Sequence, residues 1–304
     1  MKEVIVRLGN GLGNQLFTYA AAFTFAKKNN AKLYIDDESG FYKRNKYELH
    51  NFNVTAEIVE KKYKFLGISG RIKRRILKRL NHYIKDKFFL IEQMDNEKRT
   101  YYNLKQLDIN FKKRLHFEGY FQSEKYFQSE KKNLLKEFSF KNEIINQQNS
   151  FIKMIRNNNS VSIHIRQDTF LPSQGHKNLS KLNSEDLKNY INIIKKGVIY
   201  FDSNLDSPKY FLWSNNFNGL REFFPSEKFI FVDANLKNDP AYDLYLMSLC
   251  KHFVLSPSTF HYWAANLSMN SGKVCLAPIY KLNKRGYYGF CNNKDIKADW
   301  WTEI

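Results

Sequence analysis

The chain opens with VIVRLGNGLGNQLFTYA (residues 4–20), in which an apolar run, a glycine-rich turn and the start of a helix follow one another. Residues 4–8 are predicted to form a strand, residues 14–28 a helix, and AKLYID (31–36) a second strand. This order makes one βαβ unit, the opening of a Rossmann-like domain. The stretch therefore predicts an α/β fold with a ligand-binding turn after the first strand.

The turn at residues 9–14 fits several kinds of loop. Gly9 and Gly11 match a dinucleotide-binding G-x-G-x-x-G, but Asn14 occupies the third glycine position. Asp36 or Asp37 follows where a ribose-binding carboxylate would lie, whereas a Walker loop is excluded because no G-K-[ST] is present. Three interpretations stay open: an NAD-type oxidoreductase loop, a turn whose amides (including that of Gln15) face an anion or sugar, and an Asn14 that only caps the helix.

The length of 304 residues suits two domains of roughly 150 residues each. An Asn- and Gln-rich stretch at 142–160 precedes a new strand, VSIHIR (161–166), after which strands and helices alternate as far as KVCLAP (273–278). This alternation predicts a mostly parallel sheet covered on both faces. We predict Rossmann-like domains over 1–150 and 151–304, the last ~20 residues being a candidate for return to the first domain.

The formal net charge is +19, and much of it is local. Residues 61–87 hold eleven Lys and Arg against the single Asp86, a net +10. Three interpretations are a solvated helix face, contact with an anionic membrane or acidic glycolipid, and nucleic-acid binding. No recognised nucleic-acid module accompanies the stretch, so we expect no nucleic-acid partner. Apolar residues recur here at the spacing of a basic amphipathic helix: Ile72, Ile76, Leu77, Leu80, Tyr83 and Ile84.

Targeting and redox signals are sparse. The N-terminal residues contain no apolar core typical of a signal peptide, and no run of about 20 apolar residues occurs. Cys250, Cys275 and Cys291 show no CxxC spacing, which suggests neither a zinc site nor a disulfide framework. We expect a cytoplasmic protein, with peripheral contact at the inner face of the membrane as one interpretation of residues 61–87.

Two later motifs carry polar groups at strand ends. SIHIRQDTF (162–170) puts His164 and Arg166 on one face of a strand and Asp168 just beyond it. A strand-end arginine can donate two parallel hydrogen bonds to a phosphate, although His164 alone could be a core histidine and Asp168 a cap. In PSTF (257–260), Ser258 and Thr259 open a helix that could hold a diphosphate or could simply be capped.

Together these pieces resemble glycosyltransferase family 11, the α-1,2-fucosyltransferases and their relatives that use GDP-fucose. The matching stretches keep the family's order: GLGNQLFTYA (11–20), EGYFQSEKYF (118–127), SIHIRQDTF (162–170) and DLYLMSLCKHFVLSPSTFHYWAANL (243–267). The last is the most specific, because it combines a helix, a strand, a loop and a second helix. The resemblance implies a GT-B-like α/β fold of two Rossmann-like domains facing a cleft, with the nucleotide in the C-terminal domain and the acceptor on the N-terminal side.

The implied reaction is an inverting transfer of L-fucose from GDP-β-L-fucose to the 2-hydroxyl of a terminal galactose in an oligosaccharide or glycolipid. By resemblance, Arg166 would contact the pyrophosphate and Asp243 would accept hydrogen bonds from guanine. Ser258, Thr259 and Phe260 would flank the phosphates and the base.

In the N-terminal domain, Gly13 and Asn14 would lie across the cleft near the donor phosphates and the reacting sugar. The acceptor hydroxyl loses its proton during the transfer, and Asp168 is the favoured general base that accepts it. Alternatives are His164, an N-terminal carboxylate such as Asp36 or Asp37, and late transfer to the leaving phosphate. Nearby aromatic side chains either stack on sugar rings or, for most of them, pack in the core: Tyr120, Phe121, Tyr126 and Phe127.

Two features of the sequence bear on how the transfer reaction would be catalysed. No D-x-D occurs, so the usual carboxylate pair for Mg²⁺ or Mn²⁺ is missing. We expect a metal-independent reaction without a cofactor, in which Arg166 and the helix start at 258–260 stabilise the leaving GDP. The family motif H-x-R-R-G-D-[YF] is also altered, because Gln167 replaces the second arginine and the aspartate is shifted or replaced by Thr169.

The loss of that arginine is expected to weaken donor binding by about 1–3 kcal/mol. A changed donor or linkage preference, or a catalytically inactive glycan- or nucleic-acid-binding relative, are the alternatives.

Overall fold

The computed structural model describes residues 1–41, 45–96, 100–147, 149–166, 185–233, 239–256, 258–277 and 295–304. The chain divides into two units. The first comprises Met1–Lys141 and a C-terminal segment that ends at Ala298. The second begins at Asn142 and takes in Asp299–Ile304.

The first unit contains a five-stranded sheet in the order β3-β2-β1-β5-β4, with every pairing parallel. The central strand is buried at residues 4–6, and the first helix is buried along most of its length. This helix has apolar side chains on nearly every face and small alanines at 20–22, so it can pack closely against the sheet. The elements are β1 (Lys2–Arg7), α1 (Leu12–Lys28), β2 (Ala31–Asp36), β3 (Glu57–Ile58), α2 (Gly67–Leu80), β4 (Phe89–Ile91), β5 (Arg114–Glu118) and α3 (Lys131–Glu137).

The predicted βαβ unit is confirmed, with one correction. α1 begins at Leu12, and Gly11 is its N-cap residue. Asn14 lies inside the first turn, so the interpretation of Asn14 as the helix cap is wrong.

The second unit contains a six-stranded sheet, again parallel throughout, in the order β11-β10-β9-β6-β7-β8. Every residue of its central strand is buried, as expected for a parallel strand covered by helices on both faces. The elements are α4 (Asn142–Ile145), α5 (Ser150–Arg156), β6 (Ser160–Ile165), α6 (Glu185–Asn204), β7 (Lys209–Ser214), α7 (Leu220–Phe223), β8 (Phe229–Phe231), α8 (Pro240–Ser248), β9 (His252–Val254), α9 (Thr259–Leu267), β10 (Cys275–Ala277) and β11 (Trp301–Glu303).

Each sheet has a point where the strand order reverses. The chain runs outward from β1 through β2 to β3, and then returns to place β5 on the other side of β1. It likewise runs from β6 through β7 to β8 and returns to place β9 beside β6. Ligands of open parallel sheets bind beyond the carboxyl ends of the strands at such switch points. The loops after β1 and β5, and those after β6 and β9, are therefore the candidate positions for a site.

The predicted basic amphipathic helix is present as α2, but no residue of α2 is buried. Its apolar side chains thus do not join the core of the first unit. Among the described residues, no helix has the length and apolarity needed to cross a membrane.

Candidate functional site

A cavity of about 340 Å³ lies at the carboxyl edge of the second sheet. Its walls come from the end of β6, the segments after β7 and β8, α8 and the first turn of α9. His164 from the motif at 162–170, and Asp243 and Phe260 from the two ends of the stretch at 243–267, therefore line one cavity. The lining residues are His164, Trp213, Ser214, Asn215, Asn216, Phe217, Val232, Asp233, Asp243, Met247 and Phe260.

A chain of buried polar groups orients His164. Its Nδ1 lies 3.2 Å from Oγ of Ser256, and its carbonyl accepts a hydrogen bond from the Tyr190 hydroxyl at 3.1 Å. The backbone N–H of Ser256 donates to Nδ1 of His261 at 3.1 Å, and Nε2 of His261 lies 3.0 Å from Oγ of Ser162. Burial holds the pKa of His261 well below its ordinary value, so the ring is neutral. Because Nδ1 of this ring accepts from Ser256, the proton is on Nε2, which donates to Ser162. β6 and β9 are thereby tied together beneath the cavity.

The start of α9 follows β9 at the same edge. Ser258 occupies the N-cap position, but its side chain makes no capping hydrogen bond. The interpretation of Ser258 as an ordinary cap is therefore wrong. Ser258 and Thr259 are both buried, and the first amides of a helix have no partners within the helix itself.

Arg166 follows β6 directly and is exposed. It stands at the carboxyl edge, as the sequence predicts for a group that reaches a ligand. The other positions of the arginine motif, Gln167, Asp168, Thr169 and Phe170, lie outside the described residues.

Asp243 lies in the first turn of α8 and is half-buried. Capping of α8 is performed by Asp239, whose side chain accepts from the backbone N–H of Ala241 at 2.9 Å. Asp243 is thus not needed as the helix cap, and it lines the cavity.

In the first unit, the two motifs GLGNQLFTYA and EGYFQSEKYF meet at the switch point of the sheet. Oδ1 of Asn14 accepts from Nε2 of Gln122 at 2.7 Å. Oγ1 of Thr18 lies 2.9 Å from the carbonyl oxygens of both Asn14 and Gly119. These bonds fix the side chain of half-buried Asn14 at the carboxyl edge.

Glu92 supports the loop that supplies Gln122. Its Oε2 accepts from the backbone N–H groups of Tyr120 at 2.6 Å and Phe121 at 2.9 Å. Phe121 has a φ of 48°, a conformation that costs free energy for a residue with a side chain and needs such support. Burial raises the pKa of Glu92 to about 7.

Gln15 and Gly9 have structural tasks that the sequence alone does not reveal. Gln15 is fully buried, and its amide bonds to the carbonyls of Asn10 at 3.0 Å and Lys46 at 2.9 Å. A Cβ on Gly9 would lie 2.6 Å from the carbonyl oxygen of Gly40. Gly9 is therefore required by the close approach of two chain segments, and the Gln15 amide does not face a ligand.

Asp36 and Asp37, the candidates for binding a ribose or for acting as the catalytic base, both bond to neighbouring groups of the first unit. Asp36 is fully buried, and its Oδ1 accepts from the backbone N–H groups of Glu38 at 3.2 Å and Ser39 at 2.9 Å. Asp37 pairs with Nζ of Lys64 at 2.5 Å. This arrangement removes the support for an NAD-type loop.

The core interpretation is confirmed for three of the four aromatic residues of the second motif. Phe121, Tyr126 and Phe127 are buried, and the Tyr126 hydroxyl accepts from Nε2 of Gln106 at 2.7 Å. Tyr120 is half-buried.

Several cavity residues, among them those at 213–217, belong to none of the motifs that the sequence offers. Oγ of Ser214 lies 2.6 Å from the carbonyl oxygen of Asn216 and 2.7 Å from that of Ile165, and these contacts shape the wall beside His164. Short polar loops carry no distinctive spacing, so only their position after a strand could have indicated them. Within the described ranges, no group of three or more His, Cys, Asp or Glu side chains could hold a metal ion.

A two-unit fold of parallel sheets with a pocket at a switch point occurs in many α/β enzymes, so the fold by itself does not identify the reaction. Residues 3–303 match the sequence profile described as Glycosyl transferase family 11. The chain belongs to this family, and it is an enzyme of the group that contains the galactoside α-1,2-fucosyltransferases.

Individual relatives are distant but span most of the chain. The O-antigen biosynthesis glycosyltransferase WbnK of Escherichia coli is 24% identical over 98% of this chain and 99% of its own length. An α-1,2-colitosyltransferase of Escherichia coli is 25% identical over 91% of this chain and 92% of its own length. The galactoside α-(1,2)-fucosyltransferase 2 of Rattus norvegicus is 25% identical over 51% of this chain and 44% of its own.

Solved structures share the fold at low identity. The α-1,6-fucosyltransferase NodZ, soaked with GDP-fucose, has a TM-score of 0.55 at 12% identity and covers 88% of this chain and 93% of its own. A mutant of Arabidopsis thaliana FUT1 in complex with GDP has a TM-score of 0.54 at 14% identity and covers 94% of this chain and 71% of its own. The predicted fold of two Rossmann-like domains is confirmed.

Proposed function

We propose that this enzyme transfers L-fucose from GDP-β-L-fucose to the 2-hydroxyl of a terminal galactose in a surface glycan, with inversion and without a metal ion. The observation that carries the proposal is the cavity of the second sheet, where His164 of one motif comes together with Asp243 and Phe260 of another. Family membership and the activity named for the mammalian relatives support the linkage. The O-antigen role named for one bacterial relative supports a surface glycan as the acceptor.

In the proposed donor complex the nucleotide occupies this cavity. The Asp243 carboxylate accepts hydrogen bonds from the N1–H and 2-amino groups of guanine, which adenine cannot offer. The Phe260 ring lies against the base. Arg166 donates two hydrogen bonds to the diphosphate, and the N-terminal amides of α9 face the same group.

The proposed chemistry is a single displacement at the anomeric carbon. The acceptor oxygen forms a bond to C1 while the bond from C1 to the β-phosphate oxygen breaks, so a β-linked donor gives an α-linked product. Negative charge grows on GDP, where Arg166 and the start of α9 stabilise it. The acceptor proton passes to Asp168 or, failing that, to His164.

The first unit is the candidate acceptor side, and Asn14 is its proposed ligand-binding residue. Because Gln122 donates to Oδ1 of Asn14, the Nδ2 amide of Asn14 is left to donate to a sugar or phosphate oxygen. Gly13, beside it in the first turn of α1, contributes a backbone amide to the same proposed contact.

One relative favours a second candidate donor. The α-1,2-colitosyltransferase is named for a different sugar, and it aligns over most of this chain. Gln167, at a position where the family motif has arginine, is a difference through which donor preference could change.

The test is GDP release by the full chain with lactose or N-acetyllactosamine, in the presence of EDTA. We expect acceptor-dependent release with GDP-fucose, and a higher kcat/KM for it than for GDP-colitose. A reversed preference would replace the donor assignment. Donor binding without turnover on any galactoside would support the inactive alternative and contradict the proposal.

A further inference from the structure

α2 carries a row of apolar side chains on its solvent side. Ile68, Ile72, Ile76 and Leu80 follow one another at intervals of four residues, so they are neighbours on one helix face. Their exposed fractions are 75%, 50%, 53% and 47%. Four large apolar side chains this exposed, in contiguous positions on one helix, indicate a surface made for an apolar partner.

A row of arginines runs alongside. Each of the three isoleucines is followed three residues later by an arginine (Arg71, Arg75 and Arg79), which places the arginines beside the apolar row. Arg75 and Arg79 have no ion-pair partner among the described residues. With Arg74, Lys78 and His82, the three arginines surround a space of about 450 Å³ that only basic side chains line.

The neighbouring surface repeats this combination of apolar and cationic groups. A cavity of about 690 Å³ has Phe65, Leu77, Ile84 and Phe88 among its apolar lining residues. Its rim includes Lys73, Lys85 and Lys113, none of which forms an ion pair within the part of the chain that the structure describes.

We infer that this surface, α2 with the adjoining cavity, docks onto a bilayer of anionic phospholipid. The isoleucine row enters the boundary between headgroups and acyl chains, and the arginine row contacts the phosphates. A helix with a cationic stripe beside an apolar stripe matches such an interface. A nucleic acid would use the arginines but would leave the isoleucine row exposed to water.

The inference is independent of the donor and acceptor assigned above. Its test is flotation of the full chain with vesicles of phosphatidylcholine alone and with vesicles that also contain phosphatidylglycerol. The test variants are Ile72→Gln with Ile76→Gln, and Arg75→Gln with Arg79→Gln. Matched controls on α6 of the second unit are the exposed Ile199→Gln, and Lys195→Gln with Lys196→Gln.

We expect binding to phosphatidylglycerol vesicles only, and a partition coefficient at least about tenfold lower in each test variant than in its control. Transfer to a soluble oligosaccharide should be unchanged in all variants, which separates this test from that of the proposed function. Absence of vesicle binding, or binding that survives Ile72→Gln with Ile76→Gln, would overturn the inference. Arginine-dependent binding to RNA in place of vesicles would assign the surface to a nucleic acid instead.

Discussion

At the scale of single residues, the proposed function gives the recognition of the guanine base to one carboxylate, that of Asp243. Asp243 lines the cavity and is relieved of helix capping by Asp239. Asp243→Asn keeps the size of the side chain but replaces an acceptor by an amide that repels the guanine donors. We expect KM for the GDP-sugar to rise about 10- to 100-fold, with a smaller change in kcat.

Asp299→Asn is the control for this prediction, because Asp299 is an exposed aspartate of the same unit. Steady-state kinetics with varied donor and saturating acceptor provide the measurement. An unchanged donor KM in Asp243→Asn would remove Asp243 from the base-binding role.

Arg166 is the second residue on which the account depends. Lysine at this position keeps the charge but loses the planar fork that donates two parallel hydrogen bonds. We expect Arg166→Lys to lower kcat/KM by about 10²-fold, because charge develops on the diphosphate in the transition state. Arg156→Gln, at the exposed end of α5, should leave kcat/KM unchanged. Full activity of Arg166→Lys would show that a point charge suffices.

At the scale of elements, Glu92 holds the loop after β5, and its titration makes the free energy of unfolding depend on pH. Burial raises the pKa of Glu92 to about 7 from its ordinary value near 4.5. Between these values the native state holds a proton that the unfolded chain has released, so the contribution of Glu92 to stability falls as pH rises from about 4.5 to about 7. Glutamine keeps an oxygen acceptor for the amides of Tyr120 and Phe121, and it does not titrate.

We therefore expect the free energy of unfolding of Glu92→Gln, relative to the unaltered chain, to increase by up to about 3 kcal/mol across this pH window and to stay level above it. Urea unfolding at a series of pH values measures the difference. Groups that titrate in both proteins, such as His116, cancel in it. Glu143→Gln, at an exposed position, should give a flat difference, and a flat difference for Glu92→Gln would contradict the account.

Elements also differ in how far the sequence predicts them. β1, β2 and β6 have six residues each, with apolar side chains at most of their buried positions in β1 and β2 and at half of them in β6, and the sequence locates all three strands. β3 has two residues and β11 has three, and both are defined by pairing to a neighbouring strand. No local pattern of so few residues distinguishes a strand from an extended loop.

The same limit applies to the candidate site. His164, Asp243 and Phe260 can be predicted because they stand at fixed places in recognisable motifs, and the structure puts them around one cavity. The burial of the Gln15 amide and the contact of Gly9 with Gly40 depend on segments about 30 residues away, which periodicity does not reveal. Helical spacing likewise predicts α2, but it does not say whether another element covers the apolar face.

At the scale of the whole molecule, two Rossmann-like units bring separate motifs to the switch points of their sheets. In the first unit Asn14 meets Gln122, and in the second His164 meets Ser256. This repeated use of one topological position explains why four short stretches, spread from residue 11 to residue 267, carry the family resemblance. We expect the proposed reaction to need no metal-binding carboxylate pair, since a strand-end arginine and a helix start can stabilise the leaving group.

The most direct measurement is the structure of the product formed from GDP-β-L-fucose and a β-galactoside in the presence of EDTA. We expect NMR to show a single new fucosyl residue in the α configuration on the 2-hydroxyl of galactose. A β-linked product, a different hydroxyl, or a reaction that EDTA abolishes and Mg²⁺ or Mn²⁺ restores would contradict this expectation.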